Sequence, residues 1–380
     1  MLNILISPNS FKNSLKADKV ADAIEKGLKA SGIHANISKF PIGDGGDYSS
    51  FLICKQLNGE MKSMKIAGAY QKKTKASYGL IDSGKCAVIE VAETSGFKSI
   101  QNKLKSPLKS SSKGLGQLIS ALIDSGIRDY VICLGGSVTV DAGIGMLQAM
   151  GLEFRDKRGA VIEPLPDNFE KVDSIVISKF KERISGCKFT VLCDVENKLL
   201  GMNGAARVFG PQKGASEEDI EKLEEFLKSF DRLTKKTVQK SLNSMKGGGA
   251  AGGLGAAFSV FLNADLKKGA SYFCEITGFD AALAQIDLLI TGEGSIDSQS
   301  LEGKAPVVVA AKAKERQIPC IGLAGKVPLK IPKELQDYFL MLLPIGNQPE
   351  ELEMSIKHTE KNLVRTALQL GKMLGQVKYN

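Results

Sequence analysis

The chain has 380 residues, which corresponds to two or three domains of about 150 residues each. Hydrophobic residues make up 43% and charged residues 24%, close to the globular average, which excludes collagen-like, disordered and coiled-coil classes. The formal net charge is +9, and residues 60–115 hold most of the excess, with eleven lysines against four acidic residues. Apart from the adjacent Lys72 and Lys73, these lysines stand singly, and no aromatic run is interleaved with arginine, so we interpret the segment as a solvated basic face and predict no nucleic-acid partner.

Two residue counts narrow the possible mechanisms. The two histidines, His34 and His358, are too few for a histidine-rich metal site and do not suit a Ser-His-Asp triad. Seven scattered cysteines without a C-x-x-C pair indicate reduced thiols in a cytoplasmic protein. No apolar stretch approaches the roughly 20 residues of a membrane helix and the amino terminus has no basic leader, so we expect neither a signal peptide nor a membrane anchor.

The first ninety residues predict a strand, a helix, a second strand and then antiparallel strands. Residues 3–7 are apolar, Val20, Ile24 and Leu28 recur at helical spacing, and short apolar segments alternate with turn residues from 64 to 91. The sequence 79–86 fits G-x-x-x-x-G-K, but it has cysteine where serine or threonine would meet magnesium and it lies in a hairpin region. We therefore interpret it as a β-turn and not as a nucleotide-binding loop.

Strands and helices alternate along the rest of the chain. Apolar spacing predicts strands at 130–134, 189–193, 287–291, 319–323 and 338–343, and helices at 115–123, 145–150, 306–315 and 363–374. A further helix is predicted to begin after Ser216, whose hydroxyl can cap free N–H groups. This order predicts an α/β fold, with a parallel α/β domain formed by residues 1–65 and 281–380 and an inserted mixed α/β domain at 66–280.

Glycine-rich or acid-bearing loops follow several of the predicted strands. In open α/β sheets ligands bind beyond the carboxyl ends of the strands, and glycine pairs let backbone N–H groups approach an anion. A tight turn is the alternative for any one of these loops, since glycine also serves simply to adopt positive φ. The residues alone thus predict a two-domain protein that handles a small anion or phosphate. The loops span residues 7–12, 41–47, 134–143, 193–197, 209–214, 247–255 and 292–299.

In this order, the loops resemble those of the type I glycerate kinases. The resemblance runs from the first strand to past residue 320. It implies a flavodoxin-like parallel α/β domain built from both chain ends, an inserted second mixed α/β domain, and an active site between them. It also implies transfer of the ATP γ-phosphate to D-glycerate with Mg²⁺, typically giving 2-phosphoglycerate. The motifs are residues 10–12, 44–46, 88–92 with 95–96, 135–137 with 141 and 143, 193–195 with 197, 208–214, 248–255, and 291–294 with 297–299 and 303–304.

Five positions depart from the family pattern. Asn9 stands where the family usually has aspartate, and Asn13 and Asp47 differ from the commoner glycine or glutamate. Ala142 replaces a glycine, and Ser295 replaces an arginine. The last change removes a cation that could meet substrate or phosphate, so we expect any difference in substrate preference to arise there.

The resemblance and the loop chemistry together predict the site residues. Asp194 is predicted to accept or orient the proton of the glycerate hydroxyl, and Lys12 is predicted to hold anionic oxygens, as is Lys213. The predicted magnesium ligands are Asp44, Glu293 and Asp297. The predicted substrate- or phosphate-binding residues are Ser10, Gly45, Gly46, Gly135, Gly136, Ser137, Asp141, Asn197, Gln212, Lys213, Gly252, Gly253 and Gln299.

Other functions stay open at this point. A glycerate 3-kinase, or a kinase for a related small hydroxy acid, would use the same groups. A dinucleotide-dependent oxidoreductase is disfavoured because no G-x-G-x-x-G motif follows a strand. A regulatory protein that binds a small anion or a nucleotide would not need so many acids in glycine loops. The predicted partners are ATP and the small-molecule substrate, with a homodimer as a possible assembly and no membrane association.

Overall fold

The structure is a computed structural model that describes residues 1–97 and 106–376. Strands and helices alternate along most of these ranges. The strands are β1 Leu2–Ile6, β2 Ala35–Lys39, β3 Glu60–Ala67, β4 Lys73–Ile81, β5 Cys86–Glu90, β6 Asp129–Cys133, β7 Glu153–Arg155, β8 Val161–Ile162, β9 Ser174–Val176, β10 Lys188–Leu192, β11 Asp265–Lys267, β12 Leu288–Ser295, β13 Cys320–Lys326 and β14 Met341–Pro344.

The helices range from four to 25 residues in length. They are α1 Ala17–Ala30, α2 Ser49–Gln56, α3 Val91–Ser95, α4 Lys113–Asp124, α5 Ile144–Ala149, α6 Ser178–Arg183, α7 Ala205–Phe209, α8 Glu217–Val238, α9 Ala250–Leu262, α10 Gly269–Thr277, α11 Phe279–Ala282, α12 Ala305–Glu315, α13 Lys333–Gln336 and α14 Leu352–Gln376. Among the residues described, no helix is long and apolar enough to cross a membrane.

The chain divides into two compact units. Unit 1 comprises Met1–Asp44 and Ala270–Asn380, and unit 2 comprises Gly45–Gly269. The sequence placed the boundaries later, at 65 and 280. In the structure the boundaries lie earlier, after Asp44 and after Gly269. The first lies earlier because α2 packs on β4 and β5, and because β3 pairs with β4 along its whole length. The second lies earlier because Phe279 packs edge-on against Phe40 of unit 1.

Unit 1 is built on a five-stranded parallel sheet. The strand order is β14-β13-β12-β1-β2, which is the 2-1-3-4-5 order of flavodoxin-like folds when the strands are numbered within the unit. The central strands are apolar because both faces of a parallel sheet are covered. Helices α1 and α14 pack closely, since a side chain at Gly27 would overlap the carbonyl oxygen of Val364. The predicted flavodoxin-like domain is confirmed.

Unit 2 is built on a six-stranded mixed sheet. Its order is β11-β10-β6-β5-β4-β3, in which β5, β6, β10 and β11 pair in parallel and β4 pairs antiparallel with both β5 and β3. A small antiparallel sheet, β8-β7-β9, packs beside it over a phenylalanine cluster that includes Phe154, Phe169 and Phe230. This unit confirms the predicted mixed α/β fold. The hairpin between β4 and β5 also confirms the interpretation of 79–86 as a turn.

Several elements differ from the sequence prediction. Helix α7, which lies between the predicted loops at 193–197 and 209–214 and ends at the first residue of the second, was not predicted because at five residues it is too short to show a helical period. Strand β12 continues through the predicted glycine loop to Ser295, because it pairs with β13 as far as Lys326. Helix α14 begins eleven residues earlier than predicted, since its exposed first turns carry no buried apolar stripe. The predicted start after Ser216 is confirmed: its hydroxyl accepts the Asp219 N–H at 3.1 Å.

Candidate functional site

The carboxyl ends of the parallel strands in unit 2 carry a pair of closely packed glycine loops. Gly135 and Gly136 follow β6, and a methyl group at Gly135 would lie 2.7 Å from the Cα atom of Gly46. At Gly45, a methyl group would lie 2.7 Å from the Cβ atom of Leu192. The glycines at these positions therefore allow one backbone to approach another. Two of the loops that the sequence predicted to bind substrate or phosphate, those at 41–47 and 134–143, therefore lie against each other.

Lys213 is a buried cation beneath the loop that follows β6. Only 3% of the residue is exposed, and its Nζ atom donates hydrogen bonds to Ser137 Oγ at 3.0 Å and to the Thr139 carbonyl at 2.8 Å. Burial lowers the pKa of this ammonium to about 7, and the nearby carboxylate of Asp141 opposes that shift. Above that pH the amine is neutral, and its two N–H groups match the two acceptors. Lys213 thus contacts the loop from within the protein.

Asp141 is also buried, and its carboxylate binds backbone groups. Its Oδ2 atom accepts from the N–H and the hydroxyl of Ser112, each at 2.7 Å, and its Oδ1 atom accepts from the Gly143 N–H at 3.1 Å. Burial raises the pKa of Asp141, while these hydrogen bonds act in the opposite direction. Ser112 directly precedes α4. These contacts favour a role for Asp141 in holding the loop against the start of α4 and offer no oxygen to solvent.

The glycine-rich first turn of α9, which has non-helical backbone angles at residues 251–253, packs against the same loop. Gly252 and Gly253 have φ values of +69° and +97°, which glycine adopts more easily than other residues. The Gly252 carbonyl accepts the Ala142 N–H at 2.9 Å, and a methyl group at Gly252 would overlap the Thr139 carbonyl oxygen. These two glycines therefore determine how the loop after β6 is supported.

The remaining predicted residues of unit 2 lie in loops beyond β10. Asp194 follows that strand, is partly buried, and accepts the Gly269 N–H at 2.7 Å through Oδ1. Asn197 donates to the Asn203 carbonyl at 2.9 Å and so shapes its own loop. Gln212 is exposed beside Lys213 in sequence. Of these side chains, Asp194 lies at the strand end where a ligand-contacting carboxylate is expected.

In unit 1, polar side chains follow β1 and β2 at the same edge of the sheet. Asn9 is 5% exposed and donates to Asp44 Oδ2 at 3.0 Å, and its own Oδ1 accepts the Ser10 N–H at 2.7 Å. The Ser10 hydroxyl accepts the Ala17 N–H at 3.2 Å, so it supports the first turn of α1. Lys12 is exposed. Strands β1 and β12 meet here, at the switch point of the strand order, where flavodoxin-like folds bind ligands.

The end of β12 contributes the third group of predicted residues. A methyl group at Gly294 would lie 3.7 Å from the Lys12 backbone nitrogen, so the loop after β1 passes close to this strand. Asp297 accepts the Ser295 hydroxyl at 2.8 Å and the Gln299 N–H at 3.0 Å. The carboxylate of Asp297 therefore also caps the short helical turn that follows it, and the Gln299 side chain is exposed.

The carboxylates predicted to bind magnesium are those of Asp44, Glu293 and Asp297. Within residues 1–97 and 106–376, no group of three or more His, Cys, Asp or Glu side chains is placed to hold a metal. Mg²⁺ that enters with a nucleotide retains water and phosphate oxygens and needs only one or two carboxylates. Asp44 and Glu293 offer such oxygens at the carboxyl edge of unit 1, so this donor chemistry fits Mg²⁺ without a preformed cage.

Sequence reasoning missed the role of Glu90. This residue ends β5, is 3% exposed, and accepts the Tyr48 N–H at 2.9 Å, the Ser50 N–H at 2.8 Å and the Ser50 hydroxyl at 2.7 Å. Burial raises its pKa, and these hydrogen bonds act in the opposite direction. Glu90 thus anchors the start of α2, and α2 begins three residues after the Gly45-Gly46 pair. The sequence signal that could have indicated this role is the single acidic residue within the apolar run 88–92.

Comparisons with known proteins agree with this arrangement. Residues 4–375 match the family model described as the glycerate kinase family. A glycerate kinase of Bacillus cereus is 37% identical over 366 residues, which cover 96% of each chain. A glycerate 2-kinase of Escherichia coli is 39% identical over 326 residues, which cover 86% of each chain. A crystal structure described as a glycerate kinase 2 from Salmonella typhimurium LT2 has a TM-score of 0.83 at 36% identity, covering 98% of each chain.

The flavodoxin-like unit, the mixed α/β unit and these relatives together define an enzyme of the kinase class. Within that class, the chain belongs to the glycerate kinase family.

Proposed function

We propose that this enzyme transfers the γ-phosphate of ATP to the 2-hydroxyl of D-glycerate, giving 2-phospho-D-glycerate and ADP. The observation that carries the proposal is the 39% identity to the Escherichia coli glycerate 2-kinase over 86% of the chain. The glycine loops at the carboxyl ends of both sheets support it, because phosphoryl transfer depends mainly on positioning and on stabilising phosphate charge. Mg²⁺, held in part by Asp44 and Glu293, would neutralise that charge when bound.

In the proposed reaction each loop has a chemical task. The glycerate hydroxyl oxygen attacks the γ-phosphorus, its proton passes to Asp194, and ADP leaves. Backbone N–H groups of 135–137 face phosphate oxygens, and Lys12 contacts an anionic oxygen. The enzyme is proposed to act in the cytoplasm, without nucleic-acid or membrane partners, and a homodimer is its candidate assembly.

A coupled assay tests both the activity and the site of phosphorylation. Purified enzyme is supplied with ATP, Mg²⁺ and D-glycerate, and the product is followed with enolase and pyruvate kinase, with and without phosphoglycerate mutase. We expect signal without the mutase, because enolase accepts the 2-phosphate directly. Signal that requires the mutase would indicate a glycerate 3-kinase. If the enzyme binds ATP but gives no signal in either arm, a panel of other small hydroxy acids is tested. Transfer to one of these acids would indicate a kinase for that acid. ATP binding without transfer to any acid would favour a regulatory protein.

Replacing Asp194 by asparagine should lower turnover by roughly 10²-fold, the usual scale for a general base. The amide oxygen can still accept the Gly269 N–H, so the loop is expected to keep its conformation. Turnover is measured at saturating ATP and D-glycerate. Asp265→Asn is the matched control, since Asp265 is exposed at the opposite, amino end of the neighbouring strand β11. Equal turnover in wild type and Asp194→Asn would remove Asp194 from this role.

A further inference from the structure

Asn9 is a buried amide at the carboxyl edge of unit 1, and the predicted site does not include it. Only 5% of the residue is exposed, and its side chain makes two hydrogen bonds. Its Oδ1 atom accepts the Ser10 N–H at 2.7 Å, and its Nδ2 atom donates to Asp44 Oδ2 at 3.0 Å. A backbone N–H can only donate, so the atom that faces Ser10 is the amide oxygen and the NH₂ group faces the carboxylate. Asn9 therefore contacts one of the two carboxylates proposed to hold Mg²⁺.

The backbone of Asn9 contacts the strand that carries the second carboxylate. The Asn9 N–H donates to the Gly292 carbonyl at 2.8 Å, and Gly292 directly precedes Glu293 on β12. The Ser7 N–H also donates to a carbonyl of this strand, that of Ile290, at 2.7 Å, so the chain after β1 continues alongside β12. Asn9 thus bonds to one carboxylate through its side chain and to the residue before the other through its backbone.

Buried hydroxyl groups hold the strand ends around Asn9. The Thr291 hydroxyl donates to the Ser7 carbonyl at 2.7 Å, and the Ser7 hydroxyl donates to the Phe40 carbonyl at 2.7 Å. Thr291 and Ser7 are both fully buried. These bonds link β12 to the end of β1, and the end of β1 to the end of β2. The strand ends are therefore held by other groups, and what the Asn9 amide adds is a bond to the carboxylate itself.

An amide is suited to orient a carboxylate that also binds a cation. The terminal torsion of aspartate is broad, so a carboxylate without a fixed partner takes many orientations. An ionised carboxylate has about four acceptor sites on its two oxygens, so Asp44 can accept from Asn9 and still ligate a cation. An ammonium group at position 9 would also orient the carboxylate, but its charge would repel the cation. A neutral donor avoids this repulsion, and metal-ligating carboxylates are commonly held by such hydrogen bonds.

We propose that Asn9 is a positioning residue, whose amide orients the Asp44 carboxylate for the divalent cation that enters with the nucleotide. The inference rests on the proposed function for the nucleotide, and for Asp44 and Glu293 as the carboxylates that meet its cation. Asn9 does not itself ligate the cation, because its oxygen accepts the Ser10 N–H and its nitrogen faces Asp44. The expected signature is therefore a change in how much the cation strengthens nucleotide binding.

The test measures the affinity for ADP by titration calorimetry with and without Mg²⁺, and the ratio of the two affinities is the Mg²⁺-dependent gain. Asn9→Leu has a similar volume but cannot donate to Asp44. We expect its gain to fall about 10-fold, the lower end of the loss when such a partner is removed. Asn9→Ser keeps a hydroxyl that can bond to the loop backbone but is too short to reach Asp44, so we expect the same fall. The affinity for ADP without Mg²⁺ should stay close to that of wild type.

A double-variant cycle tests whether Asn9 acts through Asp44. Asp44→Asn removes a charge from the groups that meet the cation and should itself lower the gain. If Asn9 only orients that carboxylate, adding Asn9→Leu to Asp44→Asn should lower the gain no further. Losses that multiply in the double variant would mean that the two residues act independently, and would overturn the inference.

Asn36→Leu is the matched control for these variants. Asn36 lies on β2, and its Nδ2 atom donates to Asn3 Oδ1 of β1 at 2.9 Å. This exposed side-chain bond joins the same two strand segments at their amino ends, away from Asp44. We expect Asn36→Leu to keep the gain of wild type.

The outcomes of this test and of the coupled assay are independent. An unchanged gain in folded Asn9→Leu or Asn9→Ser would overturn the inference, as would a wild-type affinity for ADP that does not depend on Mg²⁺. If wild type shows the gain but transfers no phosphate to D-glycerate, the proposed function fails, while a lower gain in the Asn9 variants still supports the inference. If wild type transfers phosphate and the Asn9 variants keep its gain, only the inference fails. A wild-type protein that binds no ADP would overturn both.

Discussion

The free energy of unfolding of wild type should rise with pH relative to that of Lys213→Met between pH 7 and 10. In the fold the pKa of Lys213 is lowered to about 7 from its ordinary value of 10.5, because the ammonium is buried. Between those two pH values the unfolded chain carries one proton more than the folded chain. Stability therefore increases with pH by up to about 1.4 kcal/mol per unit, or roughly 4 kcal/mol from pH 7 to pH 10. Methionine does not titrate, so its variant lacks this contribution.

Urea unfolding followed by circular dichroism at pH 7, 8, 9 and 10 measures the difference. Below pH 7 the two curves should run parallel, because the lysine is then protonated in both states. Lys228→Met, at an exposed position of α8, should keep the pH dependence of wild type. Parallel curves for wild type and Lys213→Met across pH 7 to 10 would mean that Lys213 keeps its proton in the fold.

The same substitution should lower turnover at neutral pH. Without Nζ, the Thr139 carbonyl and the Ser137 hydroxyl lose their buried donor, at a cost of about 1–3 kcal/mol for each group left unpaired. The loop after β6 would then no longer be held in one conformation. A kcat decrease of roughly 10-fold with intact ATP binding would fit a positioning role, whereas a change confined to the KM for ATP would fit direct contact with phosphate.

Gly252→Ala should destabilise the protein by about 3 kcal/mol or more and abolish transfer. The substitution adds the cost of a positive φ, about 1 kcal/mol, to a steric overlap. The added methyl group would overlap the Thr139 carbonyl oxygen and lie 2.7 Å from the Val140 Cα atom. Both partners are backbone, so no side chain can rotate away. The displaced carbonyl is also an acceptor of Lys213, so the loop would lose that hydrogen bond too.

Gly186→Ala provides the matched control for this prediction. Gly186 has a φ of +74°, close to the +69° of Gly252, but a methyl group there would have no heavy atom within 4 Å. We expect this variant to lose only about 1 kcal/mol and to keep its activity. The midpoints of urea unfolding and the coupled assay compare the two. An equal loss of stability in both variants would mean that the first turn of α9 can shift to accommodate the methyl group.

Local patterns in the sequence were sufficient for most of the fold. Val20, Ile24 and Leu28 recur at helical spacing between two apolar strands, and this recurrence predicts α1. The hydroxyl of Ser216 predicts the start of α8. Periodicity could not predict that β12 runs through its glycines to Ser295. That extension depends on pairing with β13, a strand that lies about thirty residues away in the sequence.

Candidate site residues could be predicted where a loop has a distinctive amino-acid composition. They could not be predicted where the role of a side chain depends on whether it is buried. The glycines at 45–46, 135–136 and 252–253 were identified by the composition of their loops, and in the structure close neighbours leave no room for a side chain at Gly45, Gly135, Gly136, Gly252 or Gly253. Asp141 was assigned to a ligand because a sequence cannot show that its oxygens bind Ser112 and Gly143.

The discontinuous make-up of unit 1 has a consequence for synthesis of the chain. Strand β1 lies between β2 and β12, and its register pairs Ile4 with Leu288. During translation at about 5–20 residues per second, β1 would wait roughly 15–60 s for that partner. All of unit 2 leaves the ribosome in the meantime and can fold first. For that period β1 has an unpaired apolar edge, which is the kind of surface that chaperones cover and that neighbouring chains on a polysome can pair with.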